Sequence, residues 1–487
     1  MNIRKRSLRV ATVAVGGAAV AGVAWIALPA SAAANGIVSI VSSNVVNYAA
    51  APGTSSVVTI TRSGNTVIVD DGPGIDPGAG CVWVYGDQTK VSCTPKVPVN
   101  WIRVDLGDRN DIVVNRTDLG MTARTGAGND RITGGPKRDD VYAGDGDDVL
   151  QTNGGDDVLR GDAGNDLVIG GDGNDTLSGS TGNDTMNGGA GDDGTSYGGP
   201  GDDTMYGGDG DDKTFNGGPG NDKIYGGEGD DFLRGDEGTD IVDGADGNDL
   251  MFGGAGDDRL IGGDGTDDSF NGEAGNDRLE GGNSTNHMQG GPGNDEFVGG
   301  PGTDHMRGDA GNDAENGNDG TDFFHEDVEY AAGTDADTFI GGAGDDVLVY
   351  SARQKAITAD ADGVKGDDGA AGEGDTIDPS VSHIWGGSGN DRITGTASAE
   401  TLQGGPGNDT ILAGAGDDAL WGDLGIDTLD GAAGIDFCAD PIETGESVIN
   451  CEYGSGVPSV SAAKARDTRN EKVEEMKRLH RMEAAAF

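Results

Sequence analysis

Gly253-Gly254-Ala255-Gly256-Asp257-Asp258-Arg259-Leu260-Ile261 is one copy of a nine-residue phrase, Gly-Gly-x-Gly-(Asn/Asp)-Asp-x-apolar-x, that recurs from Gly170 to His325. A fixed short period of this kind marks a stacked repeat architecture. Its sixth residue returns as Asp130, Asp139, Asp148, Asp157, Asp166, Asp175, Asp184 and Asp193. It continues through Asp203, Asp212, Asp222, Asp231, Asp240, Asp249, Asp258, Asp267, Asp277, Asn286, Asp295, Asp304, Asp313 and Asp322. The steps are nine residues, and ten at 193 to 203, 212 to 222 and 267 to 277. In two of the long units the apolar residue shifts one place, to Phe215 and Phe270, so the extra residue reads as a bulge in the strand. Two further units end in Asp337 and Asp346, and a second array follows at Asp391, Glu400, Asp409, Asp418, Asp427 and Asp436.

Each position of the phrase has a physical reading. Glycines at positions one, two and four suit a chain that turns sharply. Prolines enter clear units at position three, as at Pro136, Pro200, Pro219, Pro292, Pro301 and Pro406, where a missing N–H need not break a ladder. Position eight is apolar in most units, from Leu177 and Met186 to Met306 and Phe324. One inward side chain per nine residues contributes about 1.5–3 kcal/mol, which is small against the entropy of ordering nine residues. The aspartates oppose folding as well, because turns stacked about 4.8 Å apart set like charges at a separation that costs roughly 1 kcal/mol in water and more when partly buried. A cation between the carboxylates removes that penalty, and calcium is the obvious candidate. Folding and metal binding then become one event.

The phrase resembles the haemolysin-type, repeats-in-toxin (RTX) calcium-binding nonapeptide, over roughly residues 126 to 325 and 386 to 437. The resemblance implies an all-β fold, a parallel β-roll or β-solenoid with two nonapeptides per turn. The Gly/Asp segments would form loops, and the last three residues of each unit a short strand. It also implies that Ca²⁺ ions sit between successive loops, held by the sixth-position aspartates and backbone carbonyls. On that basis Asp130 through Asp322, except Asn286, together with Asp337, Asp346, Asp391, Asp409, Asp418 and Asp427, are the expected metal ligands. Turns at Asn286, Glu400 and Lys137-Arg138-Asp139 depart from the pattern and are expected to bind calcium poorly, and Glu315 at an inward position should weaken its turn.

Composition bounds the partners. The chain holds 93 Gly, 86 acidic residues against 32 basic ones, and a formal charge of −54. By class-level criteria this is the profile of a disordered polyanion, and only the regular period argues otherwise. Such a surface repels phosphate backbones and anionic lipid, which disfavours nucleic-acid binding. Calcium ions, and an unknown cell-surface or matrix partner, are the expected partners.

Residues 1–32 read as a signal peptide. Arg4, Lys5, Arg6 and Arg9 precede an apolar stretch from Val10 to Leu28 and an A-x-A pattern ending at Ala32. The Ala-rich leader resembles those of secreted Gram-positive proteins, and after cleavage no segment is expected to span a membrane. Export places the chain where calcium is plentiful and thiols oxidise. Cys81 and Cys93 flank two alternating strands around a Gly-Asp turn, and Cys438 and Cys451 bracket the end of the second array. Two local disulfides are expected there, over crossed pairing or free thiols, because a solenoid needs caps at its ends.

The expected organisation is a signal peptide (1–32), a β-rich N-terminal cap (33–120), the main calcium-binding β-roll (121–325), an irregular insert with two repeat units (326–385), a second array (386–437), a disulfide-closed cap (438–453), and a linker with a helical or disordered tail (454–487). The insert is similar to one in Gram-positive RTX-repeat proteins, which implies β structure beside the roll. In the tail, Val473, Met476 and Leu479 suggest a helix, read as solvated rather than docked.

Catalytic motifs are weak. Gly194-Thr195-Ser196-Tyr197-Gly198 matches the serine-hydrolase elbow but sits inside a repeat unit. His325-Glu326-Asp327-Val328-Glu329 lacks the second histidine of a zincin. His287 and His305 fall at position seven and read as outward surface residues. The expected function is a secreted, non-enzymatic calcium-binding scaffold that folds on Ca²⁺. The alternative is a secreted hydrolase or pore-forming toxin using the repeats as a folding aid.

Overall fold

The computed structural model describes residues 36–42, 44–72, 74–326, 336–439, 446–454 and 464–483. The leader expected at 1–32 lies outside the described residues, as do parts of the insert and of the linker. The remainder is a parallel β-solenoid of about 19 turns with a single helix.

Successive nonapeptides alternate between two parallel sheets. The first sheet takes Trp101–Asp108, Gly120–Ala127, Asp139–Asp145 and Val158–Ala163, and the second takes Ile112–Asn115, Arg131–Thr133, Val149–Gly154 and Leu167–Asp172. Partners stand 18 residues apart, as in Leu150 with Val168 and Val141 with Leu159, so every second unit lies on the same face. Position eight points inward in both sheets. The ladder Leu150, Val168, Met186, Met205, Ile224, Val242, Leu260 is fully buried, and so are Leu177, Phe215, Leu233 and Met251 opposite it.

Two of the ten-residue units carry their extra residue just after the aspartate. Ser196 and Phe215 become the inward residues, paired across the ladder. The third does not follow the bulge reading. There Asp268, not Asp267, takes the buried position, its Oδ1 accepting the Asp249 N–H at 2.9 Å. Phe270 is then at its ordinary place two residues on, and the extra residue lies before the aspartate. Sequence spacing could not separate two adjacent aspartates.

The N-terminal segment caps the roll with strands laid on both sheets. Gly36–Ser42 and Val45–Ala50 form a hairpin whose second strand pairs with Trp101–Asp108. Val57–Ser63 pairs with Thr66–Asp71 and with Ile112–Asn115, and Cys81–Val84 closes on Asp87–Cys93. The expected local disulfides form, Cys81 with Cys93 and Cys438 with Cys451.

The two arrays are one solenoid. Along the first sheet His325, Val349, Trp385, Gln403 and Trp421 are successive partners, so the insert leaves this ladder unbroken. In the second sheet it intervenes. Thr338–Gly344 passes to Thr376–Ile377, and a new small sheet starts at Ile357–Asp360 beside Arg392–Thr394. Arg353 holds the insert together from a fully buried position, paired with Glu326 and Glu373.

The tail is helical over Lys464–Glu483 but is packed, not solvated. Leu479 is fully buried and Met476 nearly so, against Phe323, Val347, Val349 and Trp385 on the outer side of the first sheet. Arg478 reaches Asp345 at 2.9 Å, and His480 meets the Trp385 ring edge-on at 4.5 Å. A 20-residue helix is about 30 Å long, the height of roughly six turns stacked about 4.8 Å apart. It touches the last strand, Tyr453–Gly454, and covers outward positions that hold large apolar residues here and Arg160, Ser178 or Asn216 in earlier turns. Among the described residues, no helix is long and apolar enough to cross a membrane.

Candidate metal sites

The sixth-position aspartates form two buried columns along the edges of the roll. In one, the N–H of Asp130 is accepted by Asp148 Oδ1 at 2.6 Å, that of Asp148 by Asp166 at 2.8 Å, and that of Asp166 by Asp184 at 2.7 Å. The chain of bonds continues through Asp203, Asp222, Asp240, Asp258, Asp277, Asp295 and Asp313. The other column runs Asp139, Asp157, Asp175, Asp193, Asp212, Asp231, Asp249 and Asp268, and resumes at Asp304 and Asp322. These residues are 0–3% exposed. One carboxylate oxygen of each therefore serves as a rung of the fold, except in Asp139, whose Oδ2 accepts the Gly135 N–H of its own turn instead.

The other oxygen is the distinctive one. In Asp148, Asp166, Asp184, Asp222, Asp240 and Asp258, and across the roll in Asp157, Asp175, Asp212, Asp231 and Asp249, Oδ2 is buried and meets no hydrogen-bond donor. Native proteins satisfy nearly all buried polar atoms, so a repeated orphan oxygen marks a place for a ligand. Burial first, and then the carboxylates of adjacent turns, push these groups up: Asp148 and Asp222 to about 7, Asp231 and Asp258 to about 8. At neutral pH the bare columns are poorly compatible with full ionisation.

The columns take in Asp111 and Asp375, which spacing did not identify, and run on through the expected Asp337, Asp346 and second array. Asp111 N–H is accepted by Asp130 Oδ1 at 2.8 Å, and Asp111 Oδ1 accepts from Ser56 at 2.6 Å. Asp313 passes to Asp337 and Asp337 to Asp375, at 2.7 and 3.2 Å, separations of 24 and 38 residues that no nonapeptide count would join. Asp322 passes to Asp346 at 3.1 Å. In the second array Asp391, Asp409 and Asp427 form one run, and Glu400, Asp418 and Asp436 the other. Gly374-Asp375-Thr376-Ile377 carried a usable signal, since Ile377 two residues on is fully buried. Asp111 carried less, its segment having a single glycine at position 107.

The departures from the pattern are placed as well. Asn286 keeps the column position but turns its amide Nδ2 toward Asp304 Oδ1 at 2.7 Å, so a donor replaces an acceptor. Glu400 Oε2 is a buried orphan like its aspartate counterparts. Position five forms a second, exposed ladder, as where Asn312 donates to Asn294 and Asn294 to Asn276, which accounts for the Asn/Asp preference there.

A family model of the RTX calcium-binding nonapeptide repeat matches consecutive windows over residues 124–324, then 330–352 and 382–429, more than half of the chain. The chain belongs to the RTX calcium-binding repeat family. No curated protein matches it.

Calcium-binding repeats make a specific demand on this RTX roll, and its loops meet it. A Cβ added at Gly235 would lie 2.3 Å from Asp240 Oδ2 and 2.5 Å from the Gly253 carbonyl oxygen of the next turn. Only glycine fits there, because the orphan carboxylate oxygen and a carbonyl of the next turn already crowd the place of a side chain, and together they present the oxygen-only donor set that a hard cation takes. Gly207, Gly226 and Gly299 repeat the same arrangement with Asp212, Asp231 and Asp304.

Three other residues singled out by sequence are also placed. Ser196 faces the core, fully buried beside Phe215, so its hydroxyl is out of reach of any substrate. His287 and His305 do project from the outer side of the sheet, but as members of a stacked column, and His305 is only 7% exposed.

Glu315 occupies the inward position opposite Phe297 and Phe339. Its carboxyl is 1% exposed, makes no well-formed hydrogen bond among the described residues, and is raised well above its usual range by burial. Glu315→Leu should therefore stabilise the calcium-loaded protein at pH 8 by about 1–3 kcal/mol, read as a higher thermal midpoint. An unchanged or lower midpoint would mean that the carboxyl is satisfied.

Proposed function

We propose that this RTX protein is an exported, extracellular scaffold whose roll assembles when calcium is bound along its two edges, and that it works as a binding surface rather than as an enzyme. The ligands in this reading are the column carboxylates: Asp130 to Asp322 in the main array, with Asp268 in place of Asp267, and Asp337, Asp346, Asp391, Asp409, Asp418 and Asp427 beyond it. Backbone carbonyls of the loops complete them. Bound calcium would supply the positive charge that the stacked carboxylates lack. The observation that carries this is the row of buried Oδ2 atoms without donors.

Export is supported by the basic and apolar leader in the sequence and by the two disulfides, which persist in oxidising compartments. Extracellular calcium modules typically bind at about 10⁻⁴–10⁻³ M, so weak sites in series would leave the chain unfolded before export and fold it afterwards. Fractionation of the producing cells tests this. The chain should be recovered outside the cell with its N-terminus at Ala33 and no free thiol. Recovery of an intact Met1 form from the cytoplasm would contradict it.

A further inference from the structure

On the outer side of the first sheet, Leu250, Ser269, His287, His305 and Phe323 are successive partners, and beside them run Phe252, Asn271, Gln289 and Arg307. The short side chains of Ser269 and Asn271 stand between larger neighbours, and a groove of about 270 Å³ opens there. Leu250 and Phe252 wall one end and His305 and His325 the other, and Met288 contributes to the lining. Leu250 is left 39% exposed. Burial holds the His305 imidazole down to about 3, so it is neutral, and Arg307 is paired with Asp309 at 3.1 Å. The groove is thus largely apolar on a chain that is otherwise strongly anionic.

This groove continues the surface under the terminal helix. The His305 ring stacks on Phe323 at 4.7 Å, and Phe323 packs in one cluster with Met476 and Leu479. The helix also points toward it. Lys472 is near enough for its charge to act on Asp418 and His383, whereas Arg478, six residues on, bonds Asp345 in a turn that precedes both. The helix therefore runs back along the solenoid, and its last residue, Glu483, is at the end nearer the groove. Ala484-Ala485-Ala486-Phe487 follows, four apolar residues after a mostly charged helix. Fully extended they span about 13 Å, enough to pass from the turn of Phe323 to that of His287, two turns of about 4.8 Å back. We propose that residues 484–487 lie in this groove, with the Phe487 ring filling the space between Leu250 and His287 and strapping the helix to the roll. Alanine side chains are small enough to let the segment lie close on the sheet, and a phenylalanine ring gains more than most side chains by leaving water.

The test uses the full chain in saturating CaCl₂, with the photoreactive substitution Phe487→p-benzoylphenylalanine. Irradiation of an equal mixture of isotope-labelled and unlabelled protein should join residue 487 to Leu250, Met288 or their groove neighbours within the same chain, as located by mass spectrometry. Cross-links elsewhere on the roll, cross-links between labelled and unlabelled copies, or no cross-link at all would overturn the proposal. Separately, Phe487→Ala and the groove-filling Ser269→Trp should each speed amide hydrogen exchange in residues 476–483 by about fivefold or more, with the calcium-dependent β-sheet signal unchanged. Unaltered exchange in Phe487→Ala would also overturn it. The cross-linking experiment leaves the groove intact, so it decides the matter even where Ser269→Trp misfolds.

Discussion

Brought from pH 8 to pH 5 in excess chelator, the calcium-free chain should gain β-structure, the reverse of ordinary acid denaturation. Column aspartates are raised by burial to about 6 at Asp166, Asp184 and Asp203, about 7 at Asp148, Asp157 and Asp222, and about 8 at Asp231, Asp258 and Asp322. In the unfolded chain the same groups titrate near ~3.9. Between these limits the folded state binds more protons than the unfolded one, so its stability increases as pH falls through the folded values and is lost again as pH rises through them. Protons substitute in part for calcium by discharging the columns. In saturating calcium the slope should invert, because acidification then competes with the metal for the same oxygens. Circular dichroism at pH 5, 6, 7 and 8 in chelator, and thermal midpoints at the same pH values in calcium, measure both slopes. Slopes of the same sign would show that the carboxylates are not what separates the two states.

Asp240→Asn together with Asp258→Asn should have opposite effects in the two conditions. The amide keeps an oxygen to accept the N–H bonds from Asp222 and Asp240, but it removes two charges from one column. With calcium the variant should bind at least two fewer ions and need about tenfold more calcium for half-maximal folding, equivalent to ~1.4 kcal/mol. In chelator it should show at least as much β-sheet signal as the parent, because repulsion between turns is relieved. The control is Asp257→Asn, at an exposed position-five residue that bonds only Asn276, which should leave calcium stoichiometry unchanged. Equal losses from both substitutions would mean that the columns have no special part in binding.

The architecture was legible because one period carried three independent signals, glycine for the turn, aspartate for the edge and a single apolar residue for the core. All three coincide in units such as Gly253 to Ile261. What the period could not encode was anything resting on contacts between distant units. Asp337 and Asp375 join the column across 38 residues because Thr376–Ile377, far along the chain, pairs with Thr338–Gly344, and counting by nines stops at so irregular a stretch. Asp267 and Asp268 are indistinguishable by spacing, and the bond from the Asp249 N–H places the second in the column.

The docked helix was missed for a related reason. Its own sequence is mostly charged, and Met476 and Leu479 make a narrow stripe. The decisive signal lies on the receiving surface, where Phe323, Val347, Val349, Trp385 and Trp421 cluster at outward positions. Read one unit at a time, each is an ordinary exposed apolar residue; read down the ladder, they gather on the surface that the helix covers. The histidine column escaped in the same way, since His287 and His305 are unremarkable as single outward residues and notable only as ladder neighbours with His325.

The most direct measurement is a calcium titration of the purified, disulfide-intact chain, with heat and circular dichroism recorded on the same sample. The account predicts one cooperative transition in which β-sheet signal and bound calcium rise together, and a chelated chain that is expanded and without a thermal unfolding transition. A chelated chain that is compact and melts at the same temperature as the calcium-loaded one would contradict it.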